Sequence, residues 1–475
     1  MLISQRQQAW LYSSLTSKIL QMAKKAKKIE TAKKKMQFVV VNPNAAGIDV
    51  ADTEMQVCVP PDRCPDNNRR FGSFTQDLRE ISSWLRSCGI QTVAMEATGV
   101  YWIPLFFQLW EDGVEVLLCN ARDVKNYSGK KTDRDDAEWL MLLHQHGLLK
   151  SSFQPENAAR QVRNLARHRN GLLHSASKEV LHMQKAMQQM NVKLDNVISD
   201  IMGASGRRII EAVLSGERDP YALSQLADRR CKRSKEEIAL SLEGTWDEDH
   251  LFELKQSYEL YLVFQEKIAD CDSKIEEVLR HFVVKIGVDT SRMERTRKNV
   301  SGKNTVCFDM EAYAFGIWGV NAIAIPGMNT GALLQLVGEL GSDFYKKFET
   351  PAKFCKWCNL SPDNKVSGGK LISSKVPKRK NPVGQVFRLC ANAVSRSNNS
   401  LGYYFRRIRS RAGHMSAIVA TAHKMAEIFF IMVRDKTEYD DRRVGTDERE
   451  ILLKKIERTK KALEKLNTKL YETAS

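Results

Sequence analysis

Gly47-Ile48-Asp49-Val50, Thr92-Val93-Ala94-Met95-Glu96 and Val114-Glu115-Val116-Leu117-Leu118-Cys119 decide how this chain is read. Each is a short apolar run with β-branched residues, too short for an ordinary helix, and so predicts a buried strand. Phe38-Val39-Val40-Val41 and the stretch from Gly47 to Val59 also read as strand material, and Phe71 to Phe74 as a short strand. Asp77 to Arg86 reads as a helix with Leu78, Ile81, Trp84 and Leu85 on one face, and a second helix runs through Trp102 to Trp110. A further helix begins at Asp133. Early strands followed by strands alternating with helices predict a layered α/β domain over residues 38–150.

Downstream the chain turns helical, so the fold class is α/β plus α. Over residues 151–285 one apolar stripe runs through Val162, Leu165, Leu172, Ala176, Met183, Met187 and Met190 to Leu194 and Val197. Another follows Leu254, Tyr258, Tyr261, Ile268, Ile275, Leu279 and Phe282, with Gln265 and Asp272 as polar interruptions that fix register. This pattern predicts a coiled-coil middle, either an antiparallel hairpin or a dimerising coil, with Gly203 to Gly244 at its tip or as an insertion. Residues 286–322 read as a polar linker or insertion. A second folded unit, 323–440, opens on the turn Ile325-Pro326-Gly327-Met328-Asn329-Thr330-Gly331. The tail, 441–475, is a helix with Leu452, Ile456, Leu463, Leu466 and Leu470 on one side.

The length of 475 residues suits about three domains of ~150 residues. Lys and Arg number 74 against 57 Asp and Glu, a net charge of +17, which excludes an acidic solvating chain and favours a polyanionic partner. The extension 1–37 concentrates this charge in Lys24, Lys25, Lys27, Lys28, Lys33, Lys34 and Lys35. It is either a solvated arm or one lying on phosphates. No run approaches the roughly 20 apolar residues of a membrane span, and no signal peptide is evident, so no membrane partner is expected. The 10 cysteines are scattered, and Cys355–Cys358 has neither a second pair nor a nearby His at ligand spacing. Reduced packing thiols in a cytoplasmic compartment are expected.

Two constellations carry chemistry. Asp49 and Glu96 stand at the ends of predicted strands, and Lys131-Thr132-Asp133-Arg134-Asp135-Asp136-Ala137 opens a helix on which Asp133 and Asp136 share a face. Convergent carboxylates repel unless a cation lies among them, and hard oxygen donors without a His or Cys set point to Mg²⁺ rather than zinc. Each acid alone could equally be a solvated or helix-terminal residue. The second constellation is Val366-Ser367-Gly368-Gly369-Lys370, followed by Lys375, Lys378, Arg379, Lys380 and Arg388. Its glycines let the backbone approach a phosphate and leave a serine hydroxyl exposed. An ordinary basic loop is the alternative, and Ser373 and Ser374 are rival nucleophiles. Tyr403, Tyr404, Arg406 and Arg407 mix aromatics with cations in the way nucleic acid favours.

Taken in order, Gly47-Ile48-Asp49-Val50, Met95-Glu96-Ala97-Thr98-Gly99-Val100-Tyr101, Lys131 to Ala137, Ile325-Pro326-Gly327 and Ser367-Gly368-Gly369-Lys370 resemble the DEDD transposases of the insertion-sequence-110 family. The resemblance covers about Phe38 to Val433. It implies a RuvC-like, ribonuclease H-type domain, a coiled-coil middle and a small helical C-terminal transposase domain. It implies a recombinase that excises and inserts its element, guided by a structured bridge RNA that pairs with donor and target DNA. Asp49, Glu96, Asp133 and Asp136 carry over as the Mg²⁺ site, and Ser367 as the nucleophile that joins to a DNA phosphate. The basic N-terminal arm, the polar segment before Ile325 and the helical tail depart from the family pattern.

Two other readings compete. A Holliday-junction resolvase would share the acids but need neither Ser367 nor a guide. A non-catalytic coiled-coil nucleic-acid-binding protein would leave the ordered acids unexplained. The long apolar stripes also need covering, for which a second copy is available, so a dimer assembling to a tetramer is expected.

Overall fold

In the computed structural model, which describes residues 39–97, 99–120, 133–295, 304–377, 381–444 and 448–474, the chain divides between Phe153 and Gln154 into two units. The first unit is built on five strands: β1 (Ala45–Val50), β2 (Glu54–Cys58), β3 (Asn68–Gly72), β4 (Thr92–Glu96) and β5 (Glu115–Cys119). Their order across the sheet is β3-β2-β1-β4-β5. β1, β2 and β3 form an antiparallel meander, and β4 and β5 add in parallel on the other side of β1. A mixed sheet of this kind flanked by helices fits a RuvC-like fold.

Strand alternation divides the sheet's faces. Ala46, Ile48, Val50, Val93 and Met95 pack with Leu78, Ile81 and Leu85 of α1 (Thr75–Ser87) and with Leu105 and Leu109 of α2 (Trp102–Glu111). The opposite face receives α3 (Asp133–Gln145), whose Leu140 and Leu143 cover Ala94 and Cys119. One expectation fails here. Val39-Val40-Val41 is not a strand, and its side chains are exposed. Its backbone is taken up by the end of α3, through Val41 N–H donating to the Gln145 carbonyl at 2.8 Å.

The second unit opens with two long helices, α4 (Asn157–Gln189) and α9 (Glu248–Ile286). Met187 lies near Leu254, Arg169 bonds to Asp272, and Gln161 lies near His281, so the two run antiparallel. Of the alternatives for the middle segment, the hairpin is therefore the one found. Leu254, Tyr258, Tyr261, Ile268, Ile275, Leu279 and Phe282 are buried within a single chain, which removes the argument that a second copy must cover them. The predicted seam slips at one place. Alternating steps of four and three from Tyr261 lead through Gln265 to Ile268, yet Gln265 is exposed and the neighbouring Phe264 packs on the core in its stead. Asp272 does sit in the seam, buried against Arg169. Four short helices cap the tip: α5 (Leu194–Val197), α6 (Ala204–Leu214), α7 (Pro220–Gln225) and α8 (Lys235–Ser241).

The segment 286–322, expected to be a polar linker or insertion, contains α10 (Met310–Trp318). Met310, Ala314, Phe315, Ile317 and Trp318 are buried, and the Trp318 ring stands edge-on to Phe429 with centroids 5.0 Å apart. The expected turn at Ile325 to Gly331 is present. Gly327 has φ +86°, a Cβ there would overlap the Cys390 carbonyl, and Asn329 caps α11 (Thr330–Leu340) through the Ala332 N–H. After α12 (Phe344–Phe348) and α13 (Pro351–Trp357) the chain forms strands β6 (Asp363–Ser367) and β7 (Lys370–Lys375). A two-stranded hairpin thus stands where only a loop on a helical domain was expected. α14 (Pro382–Ala393), α15 (Ser400–Ala412) and α16 (His414–Asp435) complete the unit. Contrary to the expectation that no run approaches a membrane span, α16 is by length and composition long and apolar enough to cross one. Here it serves as the core helix, with Phe429 and Phe430 fully buried. The tail helix, α17 (Glu448–Ala474), leaves Leu452, Ile456, Leu463 and Leu466 exposed.

Candidate active centres

The acidic centre is positioned by the pairing of β1 with β4. Gly47 pairs with Ala94 and Ile48 with Met95, so Asp49 and Glu96 come next on neighbouring parallel strands. By alternation they share a face with Gly47 and Ala94, the face that α3 covers. Gly47 is needed there. A Cβ at this position would overlap the Ala137 carbonyl oxygen and the Met141 backbone nitrogen, so only glycine admits α3 this close. Both carboxylate residues are half-buried.

α3 runs antiparallel to β1. Its C-terminal end meets the start of β1, where Asn42 Nδ2 donates to the His144 carbonyl at 2.8 Å. Its middle crosses Gly47 at Ala137. From Ala137 back to Asp133 is four residues, about 6 Å of helix. From Gly47 on to Asp49 is two residues, about 6.6 Å of strand. The first turn of α3 therefore reaches the level of Asp49 and Glu96, and its N-terminal partial positive charge favours anions at that end. Asp136 is exposed. The side chains of Asp133 to Asp135, like residues 121–132, lie outside the described set.

A hard divalent cation fits the donors present, since Asp49 and Glu96 offer adjacent carboxylates with only oxygen ligands. Among the described residues no group of three or more His, Cys, Asp or Glu side chains gathers as a metal site. At the opposite end of β4 from Glu96, His144 Nε2 and Thr92 Oγ1 are hydrogen-bonded at 2.9 Å. Burial pushes the His144 imidazole down to about 4, so it is neutral at physiological pH and braces α3 on the sheet.

The second centre belongs to the other unit. Ser367 ends β6 and pairs with Lys370, the first residue of β7. Gly368 and Gly369 between them have φ of +55° and +74°. Two successive positive φ values define the tight hairpin turn whose twist matches the strands, and glycine adopts both without strain. Ser367 is exposed, as are Lys370, Ser374 and Lys375, whereas Ser373 is half-buried. The hydroxyl is thus presented at a hairpin tip with Lys370 as its cross-strand partner, while Lys375 lies at the open end opposite Asp363.

The other expected nucleic-acid contacts separate into two kinds. Arg407 is exposed and lies over the Tyr404 ring at 5.3 Å. Arg388 is half-buried and donates to the Asn359 carbonyl at 2.6 Å, closing the end of α13. Arg406 donates to the carbonyls of Ser395 and Ser397 at 3.3 and 2.9 Å while lying over Tyr403. Those two guanidinium groups are engaged by backbone. Lys378, Arg379 and Lys380, and the whole arm 1–37, lie outside the described residues. Cys355 and Cys390 are pushed up to about 12 by burial, and Cys358 well above its usual value, so these thiols pack rather than react.

Comparison with known families adds two matches in chain order. Residues 46–192 match a family model described as Transposase, the DEDD type of IS110. Residues 322–406 match one described as Transposase IS116/IS110/IS902 family. The first spans the acidic centre, and the second spans the glycine turn at 327 and the serine hairpin. Among curated proteins, none matches the chain.

Proposed function

From the chain's membership of the IS110 family of transposases, we propose that it breaks and rejoins DNA strands as an RNA-guided recombinase with two centres. Asp49, Glu96, Asp133 and Asp136 hold Mg²⁺, which supplies positive charge to phosphodiester oxygens as they gain charge during cleavage. The observation that carries this reading is the parallel pairing that sets Asp49 beside Glu96 at the level reached by the first turn of α3.

Ser367 is the nucleophile. Its hydroxyl oxygen attacks phosphorus, a serine–phosphate ester replaces one sugar–phosphate ester, and the serine proton passes to a base while the departing sugar oxygen takes one up. One ester is exchanged for another, so the reverse step rejoins a strand without an external energy source. Lys370, paired with Ser367 across the turn, holds the phosphate, and Lys375, paired with Asp363 at the open end of the hairpin, meets the nucleic-acid backbone further along. The excess of +17, including the arm 1–37, suits a structured bridge RNA pairing with donor and target DNA. Exchange requires several cuts, so dimers pairing into a tetramer complete the assembly. The protein acts in the cytoplasm, on the nucleoid.

The test is to trap the protein–DNA adduct with full-length protein, Mg²⁺ and element-end DNA, and to sequence the RNA that co-purifies. Wild type should yield the adduct and transcripts from the element's flanks, and Ser367→Ala no adduct. An adduct that persists in Ser367→Ala moves the assignment to Ser373 or Ser374. Protein that purifies without RNA and recombines without it would refute the guide.

A further inference from the structure

The helical cap at the tip of the long pair carries a charge pattern that neither centre uses. Between α7 and α8 the chain reads Asp228-Arg229-Arg230-Cys231-Lys232-Arg233-Ser234-Lys235, which sets five cations against one acid. Lys235 is committed to structure: its ammonium donates to the carbonyls of Ser224 and Gln225 at 2.9 and 3.1 Å and to that of Ala227. Arg230 pairs with Asp228 at 3.0 Å and Arg233 with Glu237 at 3.3 Å, both on the surface. Such exposed pairs contribute little and yield readily to a phosphate. Arg229 and Lys232 are exposed, with no ion pair among the described contacts.

This loop is fixed to the rest of the cap. The Asp228 N–H donates to Oγ of buried Ser205 at 2.9 Å, and the Cys231 thiol lies 3.6 Å from the same oxygen. Ser205 belongs to the first turn of α6, which adds exposed Arg208 to the surface, whereas Arg207 is paired with Glu211 at 3.6 Å. Between loop and helix opens a cavity of about 610 Å³, in which Arg230, Lys232 and Arg233 of the loop face Asp195 and Asp200, with Asp228 beside them. The cavity itself is therefore charge-balanced, and the cationic surplus lies on the loop's outer side. The exposed Arg229 and Lys232 of the loop and Arg208 of α6, which lies close enough to act on the Asp228 carboxylate, are spread over more surface than one phosphate group covers, so the anion they match is extended.

We propose that this loop and α6 form a clamp for the phosphodiester backbone of a nucleic-acid duplex, at the outer end of the long helical pair. The nature of the polyanion rests on the transposase reading; the existence of the clamp rests on the cap alone. Backbone contacts of this kind set position without reading sequence, which suits a tip that holds one substrate while chemistry proceeds elsewhere.

The test compares full-length wild type with an Arg229→Ala/Lys232→Ala/Arg233→Ala variant in binding titrations against a DNA duplex and an RNA hairpin over a range of KCl. A Lys255→Ala/Lys267→Ala/Lys274→Ala variant on exposed α9 is the control, and thermal melting verifies that each chain folds. Each lost duplex contact should flatten the plot of log affinity against log salt by about 0.9, so the loop variant should lose about 2 to 3 in slope. A change confined to the DNA probe identifies DNA as the occupant, and one confined to the RNA probe identifies RNA. Unchanged slopes for both probes, or an equal loss in the control, would overturn the clamp. Unchanged slopes in a variant that still recombines overturn the clamp alone, whereas a wild type that binds neither duplex overturns the transposase reading beneath it.

Discussion

Asp49 and Glu96 stand on strands whose other residues are largely buried, whereas Ser367 stands on a hairpin in which every residue but Ser373 is exposed. The acidic centre inherits its geometry from a core. Gly47 lets α3 touch the sheet, and His144 and Thr92 pin it there. The serine centre inherits its geometry from one turn, and a two-stranded hairpin without a core is marginally stable in water. The difference matches the chemistry proposed for each. Carboxylates that share a cation must be held at fixed separation before the cation arrives, while a nucleophile needs only to be delivered to a phosphate that something else positions.

The largest effect expected concerns whether the two centres work in one chain or across chains. Asp49→Ala and Ser367→Ala should each reduce strand exchange by about 10⁴-fold or more, as removal of groups acting in one unit does. Mixing the two inactive chains should restore adduct formation if a centre of one chain serves its neighbour's. Absence of recovery in verified mixed assemblies would place both centres in one chain.

A smaller effect separates core from turn. Gly47→Ala forces a Cβ into the backbone of α3 and should lower the stability of the N-terminal unit by about 1–3 kcal/mol in denaturant melts. Gly369→Ala strains a positive φ by about 1 kcal/mol. It should lower the adduct yield yet leave both melting transitions in place, because no core residue comes from the hairpin. A fall in melting temperature with Gly369→Ala would mean that the hairpin is part of a packed structure.

The smallest effect is in pH. The His144 imidazole titrates near 4 when folded against an ordinary 6.5, so between those values the unfolded chain binds the extra proton. Its contribution is complete above about pH 6.5 and declines as pH falls towards 4. The melting temperature of the N-terminal unit should drop across that window, and His144→Gln should flatten the drop. A pH dependence unchanged in His144→Gln would assign it to other groups.

The strands bearing the acids were legible because short apolar runs ending in a carboxylate have few other readings. The relation of Asp49 to Glu96 was not, since register and the closeness of α3 depend on contacts 40 and more residues away in sequence. The hairpin was missed although its signal was present. Gly368-Gly369 is a two-residue hairpin turn, but Asp363-Asn364-Lys365 and Ser373-Ser374-Lys375 have none of the apolar alternation that marks a half-buried strand. The buried helix Met310–Trp318 was hidden by its polar approach, 286–309. Arg388 and Arg406 show another limit: composition counts a guanidinium as available for phosphate, and only the fold reveals that a carbonyl holds it.

Arg169 binds both oxygens of Asp272, at 2.5 and 3.1 Å, and reaches the carbonyls of Asn304 and Thr305. Mechanically this is the clamp of a cantilever. From Arg169 to the end of α4 at Gln189 the beam is 20 residues, about 30 Å. A rocking of about 5° at the clamp would swing the free end by nearly 3 Å, roughly the length of a hydrogen bond. A buried ion pair contributes little net stability but tolerates little misalignment. Its worth here is as stiffness, for it sets how faithfully whatever the tip grips is kept in place.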